Sequence, residues 1–339
     1  MTGKTRTDPI VEIATEPPTG KERFDRTRIT NLLLRNLMAL VVIVVAIYFS
    51  IANPNFATLP NMRTILIAAA PFALIALGQT LVILTGGIDL SVGSVVALSA
   101  MTGAAIVVDH PDRMILAAAA AILVGLLAGL VSGLIVAYVN VPPFVTTLGM
   151  LSIASGLAYA IGNGAPINGL PPEWGEIANT RILTLQAPVL VMLAGFLILG
   201  IIMARTSFGM RIYAVGGNRL AAEVAGVKVR WILTSVYAIS GMLAGISGLI
   251  LSSRVISAAP YLGRGYELGA IAAVVIGGAS LLGGRGTVWG TLIGLFLIQT
   301  LNNGLDILVV PAYWQTVISG ILIVSAVAVD MVASKRSTA

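Results

Sequence analysis

Cysteine is absent, histidine occurs once, and only one residue in ten is charged. The first absence excludes a disulfide framework and thiolate metal sites. The second excludes a histidine cluster, since His110 stands alone in a short polar turn, Asp109 to Arg113, and reads as a surface loop residue. The charged fraction is 10%, against roughly 25% in an ordinary soluble domain. From Met114 to Pro172 there is no Asp, Glu, Lys or Arg at all. A spanning helix needs about 20 apolar residues to cross the hydrocarbon, so that stretch alone holds two crossings. The solvent of this chain is lipid.

What is present fits that solvent. Glycine is abundant, at 37 residues, and small side chains let membrane helices approach closely. Charge-free runs mark the crossings at 36–62, 64–88, 90–108, 114–172, 182–204, 231–253, 268–284, 286–305 and 307–329. The longest divides at Asn140-Val141-Pro142-Pro143, where proline stops a helix. The expectation is an all-α polytopic membrane protein of about ten transmembrane helices, with 268–284 short enough to be re-entrant. Fifteen of the 20 Lys and Arg fall on one side of that arrangement, which places both termini in the cytoplasm. The net charge of +6 therefore follows orientation and does not imply nucleic acid. Residues 1–31 are polar and mixed in charge, and predict a disordered cytoplasmic tail without a cleavable signal. The membrane domain is expected over 32–334, with a cytoplasmic segment at 205–230 and a short tail at 335–339. Tyr48, Tyr138, Trp174, Trp231, Tyr313 and Trp314 fit interfacial belts. Gly86-Gly87 and Gly277-Gly278 each precede a small-residue stretch, a faint echo compatible with an inverted repeat.

The intramembrane polar groups are nearly all neutral: Gln79, Asn140, Asn163, Gln299, Asn302 and Asn303. Such groups suit a neutral polyhydroxy solute, although each also serves to join helices. Asp89 is the one acid between spans without a charged neighbour, while Glu267, Asp306 and Asp330 lie near helix ends. In Gly86-Gly87-Ile88-Asp89-Leu90-Ser91, Asp89 is suited to cap the following helix, to touch a solute, or both. Phe72, Phe144 and Phe296 offer apolar ring faces to such a solute, or pack in the core or against lipid. An ion-driven carrier normally carries ionisable groups inside the membrane, and few are present. A secondary carrier of a small neutral solute is the alternative to an ATP-driven system. No Walker A pattern occurs, so the chain binds no ATP by that route. No acid–base pair or metal cluster suggests an enzyme.

The 205–230 segment is unlike a plain connector. Asn218 is a good N-cap after Gly216-Gly217, residues 219–225 read as a short helix, and Gly226 is placed to stop it. That helix would present Leu220, Ala221, Ala222, Val224 and Ala225, either to a soluble partner or to the lipid surface.

Four blocks carry a resemblance: Gly78–Ser94, Asn140–Tyr159, Tyr213–Val227 and Glu267–Leu305. In order and spacing they closely resemble the membrane permease subunits of ribose-type sugar ABC importers, from about residue 35 to 334. The resemblance implies a multi-pass protein of the bacterial inner membrane that moves a monosaccharide inward. It implies a second permease copy, cytoplasmic ATP-binding subunits that hold ATP and magnesium, and a periplasmic sugar-binding protein. The chain itself would bind no cofactor and no metal. Gly217, Asn218, Leu220, Ala221, Ala222, Glu223 and Gly226 fall where these permeases carry their coupling helix. The match to the wider EAA-type loop is loose there, since its downstream pattern is not evident. Substrate-path candidates are Asp89, Gln79, Phe144, Gln299, Asn302 and Asn303.

Overall fold

The computed structural model describes residues 37–182 and 184–321, with residues 324, 325 and 328 beyond them. The tails expected at 1–31 and 335–339 lie outside the described residues. Long helices dominate. They are α1 (Leu37–Ala52), α2 (Leu59–Leu84), α3 (Val92–Val107), α4 (Met114–Leu134), α5 (Pro143–Ile161), α6 (Pro172–Asn179) and α7 (Ala187–Arg205). Then come α8 (Ser207–Gly217), α9 (Arg219–Val224), α10 (Val229–Val255), α11 (Tyr266–Ile276) and α12 (Val288–Ile307), and residues 312–321 are again helical. A two-residue antiparallel pair, β1 (Arg181–Ile182) and β2 (Leu185–Gln186), leads into α7.

Five helical stretches are long and apolar enough to cross a membrane: Leu59–Leu84, Pro111–Val139, Pro143–Ile161, Ala187–Arg205 and Val229–Val255. The division expected at Asn140 is there. A π-helical turn, Ile135–Val139, ends α4, and Asn140 takes a left-handed conformation at φ 60° before the two prolines open α5. Asparagine tolerates that region better than most residues do.

α2 and α10 form the centre, largely buried, while α4 and α5 keep most of their surface on the outside. α10 packs against α4, α2 and α3, and α11 and α12 close against α2. Glycine makes the α4–α10 contact possible. Gly125, Gly129 and Gly133 on α4 lie directly on the backbone of α10 at Gly241, Gly245, Thr234 and Tyr237. In lipid, such close backbone packing substitutes for the hydrophobic drive available in water.

One aromatic departs from the expected belt. Tyr48, Tyr138, Trp231, Tyr313 and Trp314 are exposed, but Trp174 is fully buried. The short helix α6 carries it inward against Gly103, and its indole Nε1 donates to Ser252 Oγ at 3.2 Å. Nearness to a polar loop suggested an interface; the hydrogen-bond partner on α10 draws the ring into the core.

The short helices matter most for function. α11 has 11 residues and so rises only about 16 Å, roughly half the hydrocarbon thickness. α3 has 16 residues and rises about 24 Å. Each adjoins a non-helical break, residues 85–91 before α3 and 277–287 after α11. α2 ends with Gly86 at φ 80°, where the Gly86 and Gly87 N–H groups donate to Ile83 and Val82 oxygens. α11 ends the same way at Gly278, φ 89°, with Gly278 and Ala279 donating to Val275 and Val274. Both are Schellman closures, which favour glycine at the left-handed position. The two glycine pairs noted in the sequence therefore terminate their helices by one motif.

A methyl or larger group at Gly129 would drive into the Tyr237 carbonyl and the Gly241 backbone, which cannot yield as a side chain tip would. Gly129→Val is expected to destabilise the protein by about 3 kcal/mol, read as a lowered midpoint of thermal unfolding in detergent. Gly156→Val, where the added atoms meet nothing within 4 Å, is expected to leave the midpoint nearly unchanged.

Candidate functional site

The loop between α2 and α3 is built around Asp89. Its Oδ1 accepts from the Ser91 N–H at 3.0 Å and from Ser91 Oγ at 2.6 Å, and its Oδ2 accepts from Ser240 Oγ on α10 at 3.1 Å. Gln79, with its amide oriented to satisfy both ends, donates to the Asp89 carbonyl at 3.0 Å and accepts from the Asp89 N–H at 3.3 Å. Gln79 and Asp89 are both buried. The carboxylate is thus met by three donors and the adjoining backbone by one amide, which is what a buried charge requires.

This turn meets the second break, residues 277–287, in a junction of glycines. The Gly284 N–H donates to the Leu84 carbonyl at 3.0 Å. Gly216, at the end of α8, lies so close to the Leu84 carbonyl and the Gly284 nitrogen that no Cβ fits, and Gly284 in turn lies on Gly217. Tyr213 on α8 adds a hydrogen bond from its hydroxyl to the Gly286 carbonyl, 2.9 Å. Three backbones approach one another here without intervening side chains.

α9 projects from that junction. The Asn218 side chain accepts from the Ala221 N–H at 2.9 Å and caps the helix. Gly226, φ 82°, closes it by a third Schellman motif, with Gly226 donating to Glu223 and Val227 to Ala222. Arg219 and Glu223 form an i,i+4 ion pair at 3.6 Å. Ala222 is buried against the protein, whereas Leu220 and Val224 are 75% and 91% exposed. Ala221, Glu223 and Gly217 are exposed as well.

Two cavities flank α11. One, of about 370 Å³, lies between α2, α11, α12 and residues 316–320, and its wall includes Phe72, Tyr266, Gln299 and Asn302. The second, of about 350 Å³, lies between α3, α5 and the segment leading into α11, and its wall includes Ser94, Ser155, Tyr159, Arg264 and Glu267. Of the path candidates, the structure brings Gln299 and Asn302 to the first wall. Gln79 and Asp89 line neither cavity, and Phe144 sits on the exposed face of α5. Asn303 is turned toward α2, where it exchanges a reciprocal pair of amide hydrogen bonds with Asn61 at 2.8 and 3.0 Å. Asn163, at φ 48°, occupies a turn after α5.

Sequence reasoning placed Glu267 only at a helix end and Arg264 only among the outer charges, and assigned no role to Ser94, Ser155, Tyr159 and Tyr261. Gly263 and Gly265, at φ 82° and 86°, keep the segment before α11 non-helical, and Glu267 stands in the first turn of α11. The Tyr266 ring packs edge-on to Phe72 at 5.5 Å, near the middle of α2. Glu267 Oε1 accepts from the Gly265 N–H at 3.2 Å, and its other oxygen lies against Gly93 in the first turn of α3. An acid there faces the positive end of a helix dipole.

A family profile described as the permease component of branched-chain amino acid transport systems matches residues 61–327. The ribose import permease of Bacillus subtilis is 42% identical, over 85% of this chain and 89% of its own length. The ribose import permease of Escherichia coli K12 is 40% identical, over 94% and 99%. The D-allose transport system permease protein of the same strain is 36% identical, over 87% and 91%. No solved structure matches the chain.

Asp89→Leu removes the acceptor for three donors in a buried turn. The expected loss is about 3 kcal/mol or more of stability, with Asp89→Asn, which keeps one carbonyl acceptor, losing less. Thermal unfolding of the two purified variants in detergent checks the order.

Proposed function

The chain belongs to the permease-component family of bacterial transport systems, and from that premise we propose that it is the transmembrane subunit of an ATP-driven monosaccharide importer. It is a multi-pass protein of the bacterial inner membrane. The observation that carries the reading is its similarity, over nearly the full length of both proteins, to permeases named for ribose import, with permeases named for allose and galactose also matched. The family description names branched-chain amino acids, but the relatives matched end to end are sugar permeases.

In this reading the helices form a bundle of about ten spans, with an inverted repeat and both termini cytoplasmic. A second permease copy completes the membrane unit, a periplasmic binding protein delivers the sugar, and separate subunits bind and hydrolyse ATP with magnesium. The chain is a transport subunit and does no chemistry of its own. α9 is the coupling helix. Leu220 and Val224 would enter a groove on the ATP-binding subunit, with Gly217, Asn218, Ala221, Ala222, Glu223 and Gly226 fixing the shape and direction of the helix. Its exposed apolar pair and its two caps support that role, because capping holds a six-residue helix that would be unstable alone. Partner closure on ATP binding favours one of two permease states only to the extent that it binds them unequally. Gln299 and Asn302 remain proposed path residues, on one side of α11.

Two measurements test this reading in proteoliposomes containing the chain, its ATP-binding subunit and its binding protein. Uptake of labelled ribose, allose or galactose is expected to require ATP, and uptake driven by a proton or sodium gradient alone would establish a secondary carrier instead. Leu220→Ser with Val224→Ser is expected to weaken copurification of the ATP-binding subunit by tenfold or more, about 1.4 kcal/mol. Unchanged association and unchanged sugar-stimulated ATP hydrolysis would show that α9 does not couple.

A further inference from the structure

The second cavity differs in chemistry from the first. Its wall combines the hydroxyl-bearing residues Ser94, Ser155, Tyr159 and Tyr261 with Arg264 and Glu267, beside Leu151, Pro260 and Leu262. At about 350 Å³ it falls in the ordinary range for small-molecule sites. The segment that forms one side is non-helical: Ala258 pairs with Ile167 in an isolated bridge, and Gly263 at φ 82° presses onto Val96 and Gly93 of α3. Irregular backbone at membrane depth is tolerated where it is buried in protein or lines a cavity. Glu267 follows Tyr266, whose ring packs against Phe72 of α2. An acid on the wall of a cavity in an otherwise apolar bundle is costly and calls for a use. No ion pair joins it to Arg264; among the described residues the one ion pair is Arg219–Glu223.

We propose that the cavity formed by Ser94, Ser155, Tyr159, Tyr261, Arg264 and Glu267 is the polyol-binding site of the transport path, where the hydroxyls of a monosaccharide are recognised. The proposal rests on the sugar-importer reading and locates its contact point. A sugar carries adjacent hydroxyls that each donate and accept. Glu267 accepts from two of them, Arg264 donates, and the Ser and Tyr hydroxyls do both. The Tyr159 and Tyr261 rings, 42% and 57% exposed, offer flat apolar faces to the C–H side of a sugar ring. The side chain of a branched aliphatic amino acid offers those hydroxyls no hydrogen-bond partner, at a cost that disfavours it.

The same proteoliposomes provide the test, with labelled ribose, allose, galactose and leucine as probes. Glu267→Gln and Tyr159→Phe are expected to lower ATP-dependent sugar uptake roughly tenfold and several-fold, and Ser155→Trp to block it by filling the cavity. Copurification of the ATP-binding subunit and basal ATP hydrolysis should stay at wild-type levels, which a merely structural defect would not allow. Glu267→Asp is expected to recover part of the uptake. If Glu267→Gln fails to assemble, Tyr159→Phe and Ser155→Trp decide the matter. Wild-type uptake with all three variants unimpaired would overturn the site while leaving the importer reading intact. Loss confined to Gln299→Leu and Asn302→Leu would move the site to the other side of α11. Leucine uptake by the wild type in place of any sugar would overturn the importer reading, and the polyol site with it.

Discussion

A backbone in hydrocarbon has no water to bond, so every break in a membrane helix must be satisfied from within the protein. The junction of the two breaks, residues 85–91 and 277–287, meets that demand here, and the rest of the arrangement follows from it. Gly86 and Gly278 close their helices with local hydrogen bonds, Gly284 donates across to Leu84, and Asp89 gathers Ser91 and Ser240 around its carboxylate. With these groups paired inside, α3 can begin and α11 can end within the protein.

The same junction connects the exposed helix to the interior. α8 ends at Gly217 with its glycines pressed against Leu84 and Gly284, and Tyr213 is bonded to Gly286. α9 follows after a single residue, Asn218, whose side chain caps it. Little flexible material therefore separates Leu220 and Val224 from the two breaks. Contacts between backbones deform less than contacts between long side chains, so a displacement of α8 cannot be absorbed at this point as it could be at a surface of lysines or leucines.

Much of this was legible in the sequence wherever the controlling chemistry is local. Asn218 and Gly226 bound α9 because capping depends on neighbouring backbone groups. Pro142 and Pro143 divide the longest charge-free run for the same kind of reason. What could not be read is anything decided by depth or by which face meets protein. In lipid both faces of a helix are apolar, so the periodicity that reveals a buried face in water is lost. Gln299 and Asn303 look alike in sequence, yet one faces a cavity and the other locks α12 to α2 through Asn61. Trp174 reads as an anchor and is a core residue. Glu267 reads as a boundary because a charge beside an apolar run usually marks a membrane surface; here it stands on a cavity wall, in the first turn of a helix that follows a non-helical segment.

Among the helices that touch the polar cavity, α11 is the shortest. α3 is wedged between α4, α5 and α10, and Gly248 of α10 lies directly on its backbone. α11 has only 11 residues, with Gly263 and Gly265 before it and Gly277 and Gly278 after it. Its far end runs into the same break that holds Gly284 and Gly286 against α8. One end of this short helix thus leads to α8, and its other end places Glu267 on the cavity wall. Between those ends α11 is part of the core: Ala270 to Ile276 are buried, and Gly277 and Ala273 lie on Gly290 and Gly294 of α12. A neutral cargo suits a cavity set beside such a helix. Hydroxyl contacts to Ser155 or Tyr159 can be made and broken with small displacements, whereas releasing a tightly paired ion there would leave a buried charge uncompensated.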